Sequence, residues 1–321
     1  MKRRNRSLYG AAVAAAVSLL VNVAAQQPTF QAETRLVVLD VTVTRGHGEL
    51  VTDLDRGAFR VYEDGRLQPI TLFRRDDVPI SLGLVIDNSG SMRWLRTSVE
   101  SAALEFIRSS NPHDDVFVLN FADKPRIDVP MTTDPRALEA GIARVDSIGG
   151  TAMRDAILLA EDYLHQHASH DRRAMLVITD GEDNASHVSM GQLRKAVQQT
   201  TAAIFAVTLV REGQPKARTG EDELEHLTEL TGGVVYNTVS IAEVETVVKR
   251  IAHQIRNQYT MAYTPTNQTL DGSYRSVRVK VANPGGLTAR TRPGYWATPA
   301  PSRAPAKPGH SPVQSIPQRT R

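Results

Sequence analysis

The fold of this chain is decided by one stretch, ISLGLVIDNSGS at residues 80–91. It opens with an apolar run, residues 80–86, that has the length and composition of a buried parallel strand. Beyond the stretch, apolar residues from Leu95 to Ile107 recur at helical spacing. In open α/β sheets, ligands bind at loops of this kind, which join the carboxyl end of a strand to a helix. The stretch therefore predicts an α/β fold with a binding site that begins at Asp87.

The chemistry of this loop is one carboxylate and two hydroxyls. Asp87, Ser89 and Ser91 occupy alternate positions, and alternate residues of a compact turn can point to the same side. All three offer hard oxygen ligands, which suit magnesium, manganese or calcium and do not suit zinc or copper. The loop therefore indicates a divalent-cation site. The alternative is an Asx or serine turn that caps the next helix.

Two more stretches fit the same site. The apolar run at residues 174–178 predicts another buried strand, and Asp180 follows at its tip. Gly149-Gly150-Thr151 precedes a helical pattern of apolar residues, so the Thr151 hydroxyl is expected at a helix start, as at an N-cap. If the strands are parallel neighbours, both stretches lie at the sheet edge that carries Asp87.

The three pieces resemble the metal-ion-dependent adhesion site of von Willebrand factor A domains, written DxSxS, then T, then D, with no position missing. The resemblance implies a Rossmann-like, doubly wound, mostly parallel sheet. It also implies that Ser89, Ser91 and Thr151 are hydroxyl ligands, while Asp87 and Asp180 bind the metal directly or through water. The ion would be Mg²⁺, or else Mn²⁺ or Ca²⁺. A partner protein would offer an Asp or Glu carboxylate to the open metal position.

We therefore expect an exported protein that uses a cation for protein binding or adhesion and is not an enzyme. One alternative is a metal-dependent hydrolase, which is disfavoured because no His or Glu near the site is an evident general base. Another is a scaffold whose metal is purely structural. Ser89 as a nucleophile is disfavoured because its surroundings do not match the G-x-S-x-G elbow.

A histidine cluster and an acidic pair are two further candidates for metal binding. His165, His167 and His170 cluster at the end of a predicted helix, where histidines are more often solvated residues favoured by the helix dipole than metal ligands. Glu182 and Asp183 follow the second strand and could tune the metal, but acidic residues are common turn formers. We expect both groups to be solvated.

The charge of the chain is concentrated at its ends. The formal charge is +3, yet four lysines and arginines lie in residues 1–25 and four in residues 301–321, with no acidic residue in either segment. The rest of the chain then has 30 basic and 35 acidic residues, a net charge of −5. A body of that sign has no overall attraction to phosphate backbones, so we expect no nucleic-acid partner.

The two termini have no globular pattern. Residues 1–25 combine a basic start, an apolar run and small residues before Gln26, as signal peptides do. The run is shorter than a usual spanning helix, so we expect cleavage, export to the periplasm or the medium, and no membrane span afterwards. The alternative is an anchor formed by an uncleaved helix. Residues 298–321 are rich in Pro, Ser and Arg, which predicts a disordered tail.

The A-like domain, residues 79–258, is flanked by two segments of β character, residues 29–78 and 259–297. Each flank is too small to bury a core of its own, so we expect the two to pair into one small β lobe. The chain has no cysteine, so it can form neither disulfide bonds nor thiolate metal sites.

Turn residues suggest how the flanks are built. Asp64-Gly65 predicts a hairpin that joins residues 59–62 to residues 70–73. In the second flank, Asp271-Gly272-Ser273 lies between two further β runs, residues 260–263 and 276–281. Both flanks, with their Tyr-Glu-Asp-Gly and Pro-Gly-Tyr motifs, resemble the flanks of the bacterial VWFA-related family first described from acidobacteria.

Overall fold

A computed structural model describes residues 36–46, 48–143, 148–209, 215–238, 241–282 and 285–298. The chain divides into two units, Met1–Thr34 and Arg35–Arg321, and every element described below lies in the second. The predicted signal peptide lies outside the described residues, as does the predicted tail beyond Thr298. Within the described ranges, no helix is both long enough and apolar enough to span a membrane.

The described residues form fifteen strands and six α-helices. In chain order the strands are β1 (Val37–Arg45), β2 (Glu49–Leu50), β3 (Phe59–Glu63), β4 (Arg66–Gln68), β5 (Ile70–Arg74), β6 (Ser81–Asp87), β7 (Asp115–Phe121), β8 (Pro125–Thr132), β9 (Arg173–Thr179), β10 (Ala203–Leu209), β11 (Val235–Thr238), β12 (Tyr259–Tyr263), β13 (Tyr274–Val281), β14 (Leu287–Arg290) and β15 (Gly294–Trp296). The helices are α1 (Arg96–Ser109), α2 (Pro135–Ile142), α3 (Met153–His167), α4 (Met190–Val197), α5 (Pro215–Thr231) and α6 (Ile241–Arg256). A 3-10 helix, Gly90–Leu95, precedes α1.

The central sheet has six strands in the order β11-β10-β9-β6-β7-β8. All of its pairings are parallel except that of the edge strand β8 with β7. The strands β6 and β7 are buried along their whole length, which explains why their sequences are apolar runs without alternation. The predicted α/β fold with a mostly parallel sheet is confirmed.

Helices cover both faces of this sheet. On one face, Phe106 of α1 and Ile251 of α6 belong to a cluster with Leu84 of β6. On the other face, Ile157 of α3 packs in a second cluster that includes Val85 of β6. Each of these side chains is at most 1% exposed, and burial of one such side chain stabilises the fold by about 1.5–3 kcal/mol.

The strand order places a crevice beside β6. From β6 the chain goes through α1 to β7 on one side, whereas the other neighbour of β6 is β9. The direction of winding therefore reverses between β6 and β9, and ligands bind at the carboxyl ends of strands at such a point. The carboxyl end of β6 is Asp87, and that of β9 is Thr179.

Strands from the two flanks pair with each other. One sheet has the order β14-β1-β12-β5 with β2 on β1, and the other has the order β15-β13-β3-β4. In the first, Val38 lies opposite Ala262. In the second, Val61 lies opposite Val279. A third hydrophobic cluster contains side chains of both sheets, among them the fully buried Tyr259.

The central sheet and its helices are inserted between two neighbouring strands of the first flanking sheet. β5 and β12 are antiparallel neighbours, with Leu72 opposite Ala262. The chain leaves this sheet after Arg74 and returns to it at Tyr259. Close to the junction, Arg256 donates a hydrogen bond of 2.9 Å to Asp77. The two ends of the inserted part are therefore held side by side.

The predicted hairpin at Asp64-Gly65 was assigned to the wrong second strand. Asp64 and Gly65 do form a tight turn with positive φ, but they join β3 to β4, with Glu63 opposite Arg66. A two-residue turn must pair the residues that flank it, whereas the run at residues 70–73 joins β12 in the other sheet. In the second flank, the runs on either side of Asp271-Gly272-Ser273 lie in different sheets: β12 pairs with β1 and β5, and β13 pairs with β3 and β15.

Two predicted helices begin elsewhere. The spacing of Leu224, Leu227 and Leu230 predicts a short helix, and the observed helix is the longer α5, which starts at Pro215. The helical pattern after Ser91 opens with the 3-10 helix Gly90–Leu95 before α1 begins. The tighter winding of a 3-10 helix eclipses side chains three residues apart, so Met92 and Leu95 lie on the same buried face. Ser91 lies outside that face and is exposed.

Candidate metal site

Three loops meet at the carboxyl edge of the central sheet. They are residues 87–91 after β6, residues 149–152 before α3, and residues 180–185 after β9. The first two are joined by a hydrogen bond of 3.1 Å from Gly90 N to Gly149 O. The second and third are joined through the Asn184 backbone, described below. All five predicted ligands are on these loops or at the strand ends that lead into them.

Asp87 is the most constrained residue of the site. Its side chain is buried, with 2% exposed. Its Oδ1 accepts a hydrogen bond of 2.8 Å from Ser89 N, and its Oδ2 accepts one of 2.6 Å from Thr179 Oγ1. Burial, followed by the nearby charge of Asp180, raises the pKa of Asp87 to about 7. Two carboxylates in such surroundings favour a cation that balances their charge.

The hydroxyls of Ser89 and Ser91 lie together, with 3.0 Å between the two Oγ atoms. Ser89 is buried, with 1% exposed, whereas Ser91 is exposed. The Asx turn that was the alternative is present, since Asp87 accepts the bond from Ser89 N. The capping role is absent. Ser89 occupies the N-cap position of the 3-10 helix, but its side chain makes no cap hydrogen bond. The turn thus orients Asp87 and leaves the serine hydroxyls available.

Thr151 is not an N-cap, contrary to the prediction. Helix α3 begins at Met153, and Ala152 occupies its N-cap position without a side-chain cap bond. The backbone of Thr151 is held by Asn184 instead. Thr151 N donates to Asn184 Oδ1 at 2.8 Å, and Thr151 O accepts from Asn184 N at 3.0 Å. This pair of bonds, which we call the Asn184 clamp, fixes the buried Thr151 against the loop after β9.

A second acidic residue shapes the Thr151 loop. Asp123 Oδ1 accepts a hydrogen bond of 2.6 Å from Gly150 N. Gly149 has φ +95°, and a Cβ there would lie 2.4 Å from Asp123 Oδ2. Glycine is therefore required at this position both for its conformation and for space. Sequence reasoning missed Asp123 and Asn184, because each contacts a loop that lies 27 residues or more away along the chain.

Asp180 carries the clearest sign of a missing partner. It follows β9 directly and is half-buried. Its Oδ1 is buried and has no hydrogen-bond partner in the part of the chain that the structure describes. A buried acceptor in that state requires a partner such as an ion. The donor set of two carboxylates and three hydroxyls fits a hard divalent cation.

Asp183 is not the solvated turn residue that we expected. Its side chain is 4% exposed and lies 3.2 Å from Arg154 Nε, which is also 3.4 Å from Glu223 Oε2. It also accepts hydrogen bonds of 2.8 Å from Arg154 N and 2.7 Å from Ser186 Oγ. Asp183 therefore binds the start of α3, and Arg154 links it to Glu223 in the middle of α5.

The other polar groups found by sequence form no comparable site. Within the described ranges, no three His, Asp or Glu side chains are placed to hold a metal ion. His167 stacks on Tyr163, and His170 lies 3.7 Å from Asp115. Ser89 Oγ contacts Ser91 Oγ and no histidine among the described residues. The geometry therefore gives no support to a nucleophilic Ser89.

Comparison with protein families identifies the central part of the chain. Residues 82–182 match the family model described as the von Willebrand factor type A domain. The matched segment begins in β6, ends just after β9, and contains all five predicted ligands. No curated protein matches the chain. The resemblance to the A-domain family is thereby confirmed, whereas the acidobacterial-type subfamily stays a prediction.

Solved structures similar to this chain come from several bacteria. A von Willebrand factor type A protein from Catenulispora acidiphila is 13% identical over 84% of this chain and 74% of its own, with a TM-score of 0.49. An aerotolerance-related membrane protein from Bacteroides fragilis is 18% identical over 55% of this chain and 98% of its own, with a TM-score of 0.44. The vWF domain of the type V pili tip protein Mfa5 from Porphyromonas gingivalis is 11% identical over 56% and 95%, with a TM-score of 0.45.

Proposed function

We propose that this chain, whose residues 82–182 match the von Willebrand factor type A family, binds a divalent cation and uses it to hold a protein partner. The single observation that carries the proposal is the buried, unpartnered Oδ1 of Asp180, on the loop beside the buried Asp87. Ser89, Ser91 and Thr151 complete the set of oxygen ligands. Mg²⁺ is the expected ion, with Mn²⁺ or Ca²⁺ as alternatives.

The charge of the site is suited to a further anionic ligand. Asp87 and Asp180 contribute a charge near −2, which a divalent ion roughly balances. The remaining three ligands are neutral hydroxyls, so the bound ion would supply Lewis acidity to an incoming oxygen. We propose that the partner presents an Asp or Glu carboxylate there. Ser91 is exposed, which supports a site open to a partner and argues against a purely structural ion.

We further propose that the protein is not an enzyme. A hydrolase would need a general base within reach of a metal-bound water. The carboxylate oxygens of Asp87 are both engaged, by Ser89 N and Thr179 Oγ1, and Asp180 is assigned to the cation. We also propose that the chain is exported to the periplasm or the medium, and that its two flanking sheets form one lobe.

The test of the metal assignment is calorimetry with MgCl₂ and MnCl₂ on the purified chain. Ser91→Ala removes an exposed ligand and leaves the core untouched, so we expect a folded protein with at least about tenfold weaker metal binding. Ser101→Ala is the matched control, because Ser101 is an exposed serine on α1 outside the site. Equal metal binding by wild type and both variants would refute the assignment.

The partner step needs its own experiment. Envelope proteins are captured on immobilised wild type and Ser91→Ala in the presence of MgCl₂, and again with excess chelator. We expect captured proteins that are lost both with chelator and with Ser91→Ala, because a charge-assisted contact through the ion contributes roughly 2–5 kcal/mol. Capture that persists in chelator, by a protein that circular dichroism shows to be folded, would mean that the cation is not the contact.

A further inference from the structure

A second candidate site lies at the opposite end of the central sheet. A cleft of about 720 Å³ is enclosed between the first flanking sheet and the segments that lead into β9 and β10. Its walls include Val38 of β1, Leu72 of β5, Arg172 before β9 and Ala203 at the start of β10. None of the five predicted metal ligands lines it. Its volume lies within the range of about 300–1,000 Å³ that is typical of small-molecule sites.

The floor of the cleft is the outer face of the first flanking sheet. Side chains of a strand alternate between its two faces, so Val37 and Leu39 are buried in the core and Leu36 and Val38 point outward. These two outward residues are 46% and 49% exposed. Strand register places Val38, Ala262 and Leu72 in one apolar row across three strands. The sheet thus presents an apolar surface inside the cleft.

The next row of the same face is polar. It consists of Asp40 on β1, Thr260 on β12 and Arg74 on β5, which lie side by side. Each is two residues along its strand from the apolar row, on the side toward the central sheet. Asp40 accepts a hydrogen bond of 2.7 Å from Thr260 Oγ1 and lies 3.4 Å from Arg172 Nε. Arg74 is exposed and makes no ion pair with any described residue. The cleft therefore has an apolar part and a polar part.

The polar end contains hydrogen-bonding groups without partners. Arg172 is 7% exposed, and its Nη2 donates to Ile255 O at 2.6 Å and to Gln258 Oε1 at 2.9 Å. Its Nη1 is buried and has no hydrogen-bond partner among the described residues, and the same is true of Thr291 Oγ1. Both residues line the cleft. A buried donor left without an acceptor is costly, which points to a ligand that supplies one.

We propose that this cleft binds a small amphipathic carboxylate, with its head group toward Arg172 and Arg74 and its apolar chain over Val38 and Leu36. The guanidinium groups supply charged donors for a carboxylate. Three aspartates, Asp40, Asp76 and Asp171, and three arginines, Arg74, Arg172 and Arg292, line the cleft. Because these charges nearly balance, the cleft favours a ligand with a single negative group over a polyanion. The site is independent of the cation and of the proposed partner.

Calorimetry with decanoate, below its micelle concentration, tests the proposal on the purified chain. We expect one saturable site per chain in wild type. Val38→Asp places a carboxylate in the apolar row and is expected to weaken binding by at least about tenfold. Leu270→Asp is the matched control, because Leu270 is 44% exposed and lies outside the cleft. We expect it to bind like wild type.

The head group is tested with ligands of the same chain length. Decyltrimethylammonium, which carries the opposite charge, is expected not to displace decanoate. Arg74→Gln is expected to weaken decanoate binding while circular dichroism stays unchanged. The proposal is overturned if wild type has no saturable site, if Val38→Asp binds as tightly as Leu270→Asp, or if the ammonium ligand competes as well as the carboxylate.

Discussion

Replacement of Glu63 by leucine tests whether the two flanking sheets act as one folded unit. Glu63 is on β3 in the second flanking sheet and is 3% exposed. Its Oε2 accepts hydrogen bonds from Tyr263 OH at 2.7 Å and from Tyr295 OH at 2.8 Å. Tyr263 belongs to β12 in the first sheet, so this carboxylate links the two sheets across their shared core. Burial, and then the bond to Glu63, raise the pKa of Tyr263.

The magnitude follows from these two contacts. A hydrogen bond to a charged group contributes about 1.5–3 kcal/mol, so Glu63→Leu is expected to lower the free energy of unfolding by about 3–6 kcal/mol. Glu63→Gln keeps a carbonyl oxygen that can accept both hydroxyls, so we expect a smaller loss of about 1–2 kcal/mol. Leucine retains most of the volume, which limits any cavity contribution.

Urea unfolding of the purified chain, followed by circular dichroism, measures both variants. Tyr263→Phe completes a double-mutant cycle with Glu63→Leu, and we expect a coupling of at least about 1 kcal/mol because the two side chains share one bond. If Glu63→Leu unfolds within about 0.5 kcal/mol of wild type, or if the cycle shows no coupling, the carboxylate does not join the sheets and the one-unit proposal fails.

Three further predictions concern the part of the chain between the flanks. Burial raises the pKa of Glu161 from 4.5 to about 7, so the folded state binds this proton more tightly than the unfolded state. Glu161 should therefore make the free energy of unfolding fall by about 3 kcal/mol as pH rises through that window. In a pH series of urea melts, Glu161→Gln should make the total fall smaller by about that amount, while the fall due to Asp87 remains. Gly220→Ala should cost at least about 2 kcal/mol, because its Cβ would lie 1.2 Å from a carbonyl oxygen of the loop after β9. The matched control is Gly191→Ala on α4, where a Cβ meets no atom within 4 Å, so it should be neutral or slightly stabilising. Thermal unfolding of both glycine variants measures the difference. Asn184→Ala should weaken Mn²⁺ binding about 10–100-fold in calorimetry, since it removes the side-chain acceptor of Thr151 N and so loosens one of the two bonds of the Asn184 clamp.

The sequence was sufficient to predict the central sheet and the loops at its edge. Strands buried on both faces are continuous apolar runs, and each run here ends in the polar residues of one loop. Strand order then brings Asp87 and Asp180 to neighbouring strand ends, because β6 and β9 are parallel neighbours. The positions of these residues therefore follow from periodicity and topology alone. Whether they bind a cation stays a prediction.

The contacts that hold the site depend on tertiary structure and were not predictable. Asn184 and Asp123 look like ordinary turn residues, and only the folded chain shows that they bind the Thr151 loop. The N-cap prediction for Thr151 was wrong because Ala152 occupies the N-cap position and the Thr151 backbone is held by the Asn184 clamp. The local sequence, a threonine after two glycines, is compatible with either arrangement. The hairpin prediction paired β3 with β5, whereas β3 pairs with β4 and with β13 of the second flank, and β5 pairs with β12 of the second flank.

The insertion between β5 and β12 has a mechanical consequence. Residues 36 and 298, the outer limits of the described chain, both adjoin the flanking sheets, and the whole central sheet lies on a branch between two hydrogen-bonded neighbours. Tension applied to the two ends is therefore carried from strand to strand within the flanking sheets. It reaches the branch only after β5 and β12 have separated. The carboxyl edge that carries Asp87 is thus shielded from a load on the chain and keeps its geometry while the flanks are stretched.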